Sequence, residues 1–238
     1  MMFNWTPDMV RFMKDASEYG DYNSVIAGTM RPYINENTRI CDAGCGLGYL
    51  SLELSALAGQ VTAVDVNEDA LSVLRGNIAS RNIENIEVVS GRLEDLQLEK
   101  PFDAMVFCFA GEISDVLEQA GRLCRGDVFV IHRNYKNHRF SAGDFSCDEG
   151  CLCFTDELDR RGIPYEAREL EIEFGQPLRS IDDGVLFYRT YSRDPDKSVI
   201  DRNFLENKLI KTGCTEFPYY LPHRRRVEWI MLKAGSFA

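Results

Sequence analysis

Apolar residues in this chain fall into short uninterrupted runs, each closed by glycine or a polar turn and followed by a stretch with helical spacing. Residues 39–43 predict a short buried strand and 44–48 a glycine turn. Residues 49–58 then predict a helix with Leu50, Leu54 and Leu57 on one face, closed by Gly59. The unit repeats at once. Residues 61–65 predict a second strand, Asn67 caps a helix carrying Leu71, Leu74 and Ile78, and 86–89 predict a third strand. Residues 104–109 show no polar alternation, as expected of a strand buried on both faces, and a helix over 113–123 and a fifth strand over 128–132 follow. Strands alternating with helices imply a parallel sheet, because each crossover is right-handed and covers a face.

The flanks are less regular. Thr6-Pro7-Asp8 reads as a helix start, with an N-cap hydroxyl, a proline in the first turn and an acid facing the helix dipole. Helices are expected over 7–18 and 22–34. After residue 132 come a cysteine-bearing loop, a helix over 155–161, and a strand over 166–174 with Leu170, Ile172 and Phe174 on one face. Ser180-Ile181-Asp182-Asp183 starts a helix through Tyr191, a second helix is expected over 197–211, and a last strand over 227–232. The expected organisation is an N-terminal helical lid segment (1–35), an α/β core (36–175), a helical lid insertion (176–222) and the last strand of the core sheet (223–238).

With 238 residues, 45% hydrophobic and 27% charged, the chain has the composition of a globular protein and no linker-like stretch, which suggests one domain with embellishments. Its net charge of −11 sets up a field that repels phosphate backbones and so disfavours nucleic acid as a partner. Apolar runs are far shorter than the roughly 20 residues a membrane span requires, and the N-terminus lacks a basic-then-apolar leader, so a cytoplasmic protein away from membranes is expected. Eight cysteines in such a chain read as reduced thiols. Cys147, Cys151 and Cys153 depart from paired Cys-x-x-Cys spacing and no histidine follows nearby, so no metal is expected.

The most informative run is Ile40-Cys41-Asp42-Ala43-Gly44-Cys45-Gly46-Leu47-Gly48-Tyr49-Leu50, a strand end, three alternate glycines and a helix start. Glycine lets a ligand approach the backbone closely and exposes N–H groups at the helix N-terminus. A dinucleotide fingerprint needs its third glycine where Tyr49 stands, which weakens a nicotinamide reading. The run resembles motif I of the class I S-adenosylmethionine-dependent methyltransferases, acid-x-Gly-x-Gly-x-Gly, filled here by Asp42, Gly44, Gly46 and Gly48. Asp65, closing the next strand, matches the family's ribose-binding acid, and a carboxylate suits that task because it only accepts hydrogen bonds.

The resemblance spans about residues 36–132 and implies a doubly wound, mostly parallel seven-stranded sheet with helices on both faces and an antiparallel last strand. It also implies S-adenosyl-L-methionine as cofactor. The implied cofactor-binding set is Asp42, Ala43, Gly44, Cys45, Gly46, Gly48, Asp65, Val66, Leu93, Glu94 and Cys108.

Methyl transfer is an in-line displacement, so the enzyme's main work is to hold the acceptor opposite the leaving sulfur in a dry site. Acceptors in this fold lie beyond the fourth strand, here at Cys108-Phe109-Ala110-Gly111-Glu112, where the Asn-Pro-Pro-Tyr of many nitrogen methyltransferases is missing. Glu112 is a candidate general base or simply a helix-dipole partner, and His132 is the second catalytic candidate, beside Arg133, Asn134 and Tyr135. Tyr19, Phe109 and Tyr188 are candidate acceptor contacts, because aromatic residues crowd both expected lid segments, which would close over the crevice. His223-Arg224-Arg225-Arg226 is either a solvated strand entry or a clamp for an anionic substrate. The expected function is transfer of a methyl group to a small molecule. Methylation of RNA or protein, a cofactor-binding regulatory module without transfer activity and a nucleotide-binding oxidoreductase stay open, as does the oligomeric state.

Overall fold

The computed structural model describes residues 5–133, 154–192 and 196–237. In chain order the elements are α1 (Pro7–Tyr19), α2 (Tyr22–Met30), β1 (Arg39–Ala43), α3 (Tyr49–Ser55), β2 (Gln60–Asp65), α4 (Glu68–Arg81), β3 (Ile86–Ser90), β4 (Phe102–Cys108), α5 (Ile113–Leu123) and β5 (Cys124–Arg133). They continue with α6 (Phe154–Arg161), β6 (Tyr165–Glu173), β7 (Gln176–Leu178), α7 (Ile181–Tyr191), α8 (Arg202–Glu206), β8 (Ile210–Lys211), β9 (Tyr219–Leu221) and β10 (Arg224–Lys233). The described residues divide into two compact units, one of 23–133, 154–170 and 227–237, the other of 5–22, 171–192 and 196–226.

The first unit is built on a seven-stranded sheet of order β3-β2-β1-β4-β5-β10-β6. β1 runs parallel to β2 and β4, with Asp42 opposite Ala63 and Val106, while β10 runs antiparallel to β5. The inner strands are apolar on both faces because helices cover both. Val116, Leu117, Ala120 and Leu123 of α5 pack with Phe154 and Leu158 of α6 against Phe107, Val128, Val130 and Ile230 of the sheet. Phe129 and Trp229 lie together with Tyr33, and the Arg168 guanidinium sits 3.9 Å above the Trp229 ring. Asn67 Oδ1 accepts the Ala70 N–H at 2.9 Å and so starts α4 as its side chain predicts.

Two helices end sooner than their patterns suggest, α3 where a side chain takes over its carbonyls and α2 in a backbone turn. Nδ2 of Asn85 donates to the carbonyls of Ser55 and Ala58 at 2.8 and 3.1 Å, so α3 stops at Ser55. α2 stops at Met30, whose carbonyl accepts from Tyr33 and Ile34, and the Thr38 hydroxyl then accepts the Asn35 N–H at 2.9 Å.

The second unit joins α1, α7 and α8 to a three-stranded sheet of order β7-β9-β8. Phe12, Leu178, Phe187, Tyr188, Ile200, Leu205 and Leu221 form its core, with Phe12 edge-on to Phe187 at 5.0 Å. The helix expected over 197–211 is not continuous. Asp196 and Asp201 each cap a separate short helix by accepting from Ser198 and Phe204, and Ile210 and Lys211 instead pair with β9. This segment is therefore mixed α and β rather than helical.

Polar pairs fasten α1 to the start of α7. The Arg179 guanidinium grips the buried Asp15 carboxylate with both Nη atoms, Nη2 at 2.9 Å, and Arg11 donates to Asp183 at 2.7 Å. Arg179→Ala leaves Asp15 with only Arg11, 3.9 Å away, and is expected to cost about 2 kcal/mol, read as a lower urea midpoint at unchanged slope.

Candidate active site

Gly44, Gly46 and Gly48 all have left-handed backbone, with φ of +71°, +54° and +74°. Space forbids side chains as well at two of them. A Cβ on Gly44 would lie 2.6 Å from the Ala110 methyl, and one on Gly48 within 2.7 Å of three Leu74 side-chain atoms. The turn thus fits between the end of β4 and α4 only as bare backbone. Gly44 and Cys45 donate to the Val64 carbonyl at 2.8 and 3.0 Å, which ties the turn to β2.

Asp65 completes the tie. Its Oδ2 accepts the Gly46 N–H and its Oδ1 the Asn67 N–H, both at 2.8 Å, so the carboxylate bridges the glycine turn and the start of α4. Each oxygen keeps a further lone pair for a ligand hydroxyl. Val66 beside it is 44% exposed, and Leu93 is half-buried in a single 3-10 turn, Leu93–Asp95, that also carries the exposed Glu94. Arg122 of α5 holds that turn by donating to the carbonyls of Leu93 and, at 2.9 Å, Leu96.

Asp42 and Ala43 end β1 as buried residues. The Ser51 hydroxyl of α3 donates to Asp42 Oδ2 at 2.6 Å. Burial pushes the Asp42 carboxyl up to about 6; the Ser51 hydrogen bond opposes this and the neighbouring Asp65 charge adds to it. Burial also drives the Cys41 and Cys45 thiols well above their ordinary range, so neither is an activated nucleophile. Cys108 closes β4 half-buried, opposite Ile131 of β5.

At the carboxyl ends of β4 and β5 the chain is strained. Phe109 has φ +57°, rare for a bulky side chain, and its N–H donates to the Ile131 carbonyl at 2.9 Å, while Gly111 follows at φ +77°. Glu112 is the exposed N-cap residue of α5, and its side chain makes no capping hydrogen bond. His132 is half-buried beside the Phe154 ring. Burial, then Arg133, lowers its pKa, and the Glu112 charge acts in the opposite sense, so the two catalytic candidates lie within electrostatic reach of one another.

Other expected residues fall elsewhere. Tyr19 is 44% exposed and stacks on Tyr220 at 5.4 Å, with Phe217 edge-on. Tyr188, expected to contact the acceptor, is instead 6% exposed and packs between Phe187 and Phe204 in the core of the second unit. Arg224 and Arg226 both pair with Glu171, at 3.2 and 3.3 Å, and Arg225 lies over Tyr22 and Phe174, so one carboxylate offsets part of the charge of the basic run. Asn134, Tyr135, Cys147, Cys151 and Cys153 lie outside the described residues. Among the described residues no cluster of metal-ligand type occurs and no helix is long and apolar enough to cross a membrane. Ser51 and Ala110 were not singled out from sequence; the signal for Ser51 is a lone hydroxyl among the buried apolar positions of α3.

A family model described as a methyltransferase domain matches residues 34–148. Residues 34–148 thus match a methyltransferase domain, on an α/β methyltransferase-like fold. The domain is similar to that of the ribosomal protein L11 methyltransferase of Acetivibrio thermocellus, 36% identical over 123 residues, which are 51% of this chain and 39% of that protein. The chain thus spans about two fifths of that relative's length. A probable cobalt-precorrin-6B C(15)-methyltransferase (decarboxylating) of Methanocaldococcus jannaschii is 28% identical over 147 residues, 62% of this chain and 73% of that protein. In fold, the YcgJ protein of Bacillus subtilis superposes with a TM-score of 0.57 at 12% identity, over 90% of this chain and 99% of that one. S-adenosyl-L-methionine is the methyl donor of the methyltransferase family. The residues fit it: a left-handed turn in which a Cβ on Gly44 or Gly48 would collide with its neighbours, an Asp65 carboxylate that has acceptor capacity left on both oxygens for a ribose-type diol, and apolar Val66 and Leu93 for a base.

Gly44→Ala is expected to cost about 1–3 kcal/mol in a denaturant melt. Adding Ala110→Gly should recover only part of this loss, because it relieves the contact at 2.6 Å but not the φ of +71°.

Proposed function

We propose that this protein is an S-adenosyl-L-methionine-dependent methyltransferase whose acceptor is a small molecule. The observation that carries the donor half is the glycine turn pinned by Asp65. When bound, the donor supplies an electrophilic methyl group on a sulfonium. The chain's own part is to fix it: Asp65 accepts the ribose hydroxyls, Val66 and Leu93 flank the base, and the turn from Gly44 to Gly48 leaves room for the amino-acid end. His132, kept neutral near pH 7 by burial, is suited to accept a proton from the acceptor, and Glu112 to stabilise the imidazolium that results. Phe109 and Cys108 are the acceptor-contact candidates we retain.

Two observations support a small acceptor over a polymer. The net charge is −11, and the relative of which this chain covers the larger share, 73%, is named for a precorrin, a small molecule. The second reading, protein methylation, draws on the 36% identity to an L11 methyltransferase, of which this chain covers 39%. Incubation with radiolabelled donor and separate pools of small metabolites, ribosomal proteins and RNA decides between them. Label in the metabolite pool is the expected result, and label confined to protein or RNA refutes the small-acceptor reading.

Asp65→Ala should weaken S-adenosylhomocysteine binding at least about tenfold by calorimetry, since hydrogen bonds to a charged acceptor are worth roughly 1.5–3 kcal/mol each. If His132 is the base, turnover falls as pH drops through its pKa, which lies below the ordinary 6.5. His132→Gln should then remove that acid limb from the pH–rate profile while leaving donor affinity unchanged.

A further inference from the structure

Leu93–Asp95 is a single 3-10 turn after β3, which pairs with β2 and forms one edge of the seven-stranded sheet. Its internal bonds run from the Asp95 N–H to the Arg92 carbonyl at 3.2 Å and from the Leu96 N–H to the Leu93 carbonyl at 3.1 Å. Such short 3-10 geometry is weak. Leu93 and Leu96 are only partly buried against the core, so packing alone does not fix the turn. One tie comes from the sheet. The Gly91 N–H donates to the Asp65 carbonyl at 3.0 Å, and the turn starts two residues after this bond to the acid of the donor site.

The other tie comes from α5. Val116, Ala120 and Leu123 bury one face of that helix in the core, which sets its position independently of the loop after β3. From the last turn of α5 the exposed Arg122 guanidinium reaches back 29 and 26 residues: Nη2 donates to the Leu93 carbonyl, and Nη1 to the Leu96 carbonyl at 2.9 Å. Gln119, buried three residues before Arg122, accepts from Nη2 at 2.8 Å and so fixes the plane of the guanidinium. A planar fork that grips two carbonyls three residues apart sets both the place and the pitch of the turn between them, which a single ammonium does not. A cation in the last turn of a helix also suits the helix dipole, but that role needs no partner on the turn.

We propose that Arg122 is the positioning residue of the base subsite: through this fork α5 sets the turn on which Leu93 meets the base of the donor. This rests on the donor reading of the glycine turn, with Leu93 as a flank of the base. Recognition of the base then depends on the core packing of α5, while recognition of the ribose depends on Asp65 of β2, and the two are separable.

Three probes separate them by titration calorimetry, direct or in competition. S-adenosylhomocysteine carries base, ribose and amino-acid end, adenosine lacks the amino-acid end, and S-ribosylhomocysteine lacks the base. In Arg122→Ala the affinities for S-adenosylhomocysteine and adenosine should fall by the same factor, about fivefold, while that for S-ribosylhomocysteine stays unchanged. Arg122→Lys, which keeps the charge but not the fork, should recover only part of the loss. In the wild type, adenosine should move the backbone amide resonances of Arg92 to Leu96, a readout that needs no variant to fold. Unchanged adenosine affinity in Arg122→Ala, full recovery in Arg122→Lys, an equal loss for all three probes, or turn resonances that adenosine leaves in place overturns the proposal and leaves the donor reading intact. Failure of all three probes to bind the wild type overturns the donor reading and the proposal together.

Discussion

The working end of the sheet depends on one bidentate acceptor. Asp65 takes the N–H of Gly46 with one oxygen and that of Asn67 with the other, so a single side chain on β2 fixes the turn after β1 and the start of α4. Those N–H groups belong to segments with no regular ladder partner, and leaving them unmet near a buried turn would be costly. The glycines follow from this constraint. A turn pulled against β2 by Asp65 and the Val64 carbonyl, with Ala110 and Leu74 pressing on it, has no room for side chains and adopts left-handed angles that other residues resist.

The same crowding links the donor side to the acceptor side. Ala110, whose methyl group limits Gly44, directly follows Phe109, which is held at φ +57° by its N–H bond to β5. Strain of this kind persists only where the surroundings fix it, here the β5 carbonyl and the glycine turn. The loop after β4 is thus set by the same packing that shapes the donor turn, and it carries Glu112 toward His132 at the end of β5. The residues proposed for proton handling and those proposed for donor binding share one edge of the sheet.

What the sequence makes legible is what local rules decide. The first five strands, the bounds of α5, the Asn67 cap and the turn made by the alternate glycines follow from apolar runs, capping chemistry and close approach, and each is present. What it conceals depends on partners far along the chain. Tyr188 and Tyr191 lie on one helix at a spacing that serves either a core or a pocket, and only the Phe12, Phe187 and Phe204 rings settle that Tyr188 packs inward. The three short strands β7, β8 and β9 have two or three residues each, too few for an alternation to register, and exist because they pair with one another. Ser51 is visible as a hydroxyl in an apolar helix, but its partner across the turn is not.

Charge runs through the molecule on two scales. At long range a net charge of −11 draws cations and repels polyanions, while in the basic run Arg224 to Arg226 the single Glu171 carboxylate offsets one of three positive charges. At short range the turn that fits a sulfonium nucleoside is backed by two carboxylates, Asp42 and Asp65, with the nearby thiols uncharged. Burial of Asp42 works against its ionisation, and the nearby Asp65 charge adds to this. Ser51 opposes it through its hydrogen bond to Oδ2, while two backbone N–H groups hold the oxygens of Asp65, so hydrogen bonds converge on both acids rather than on either alone.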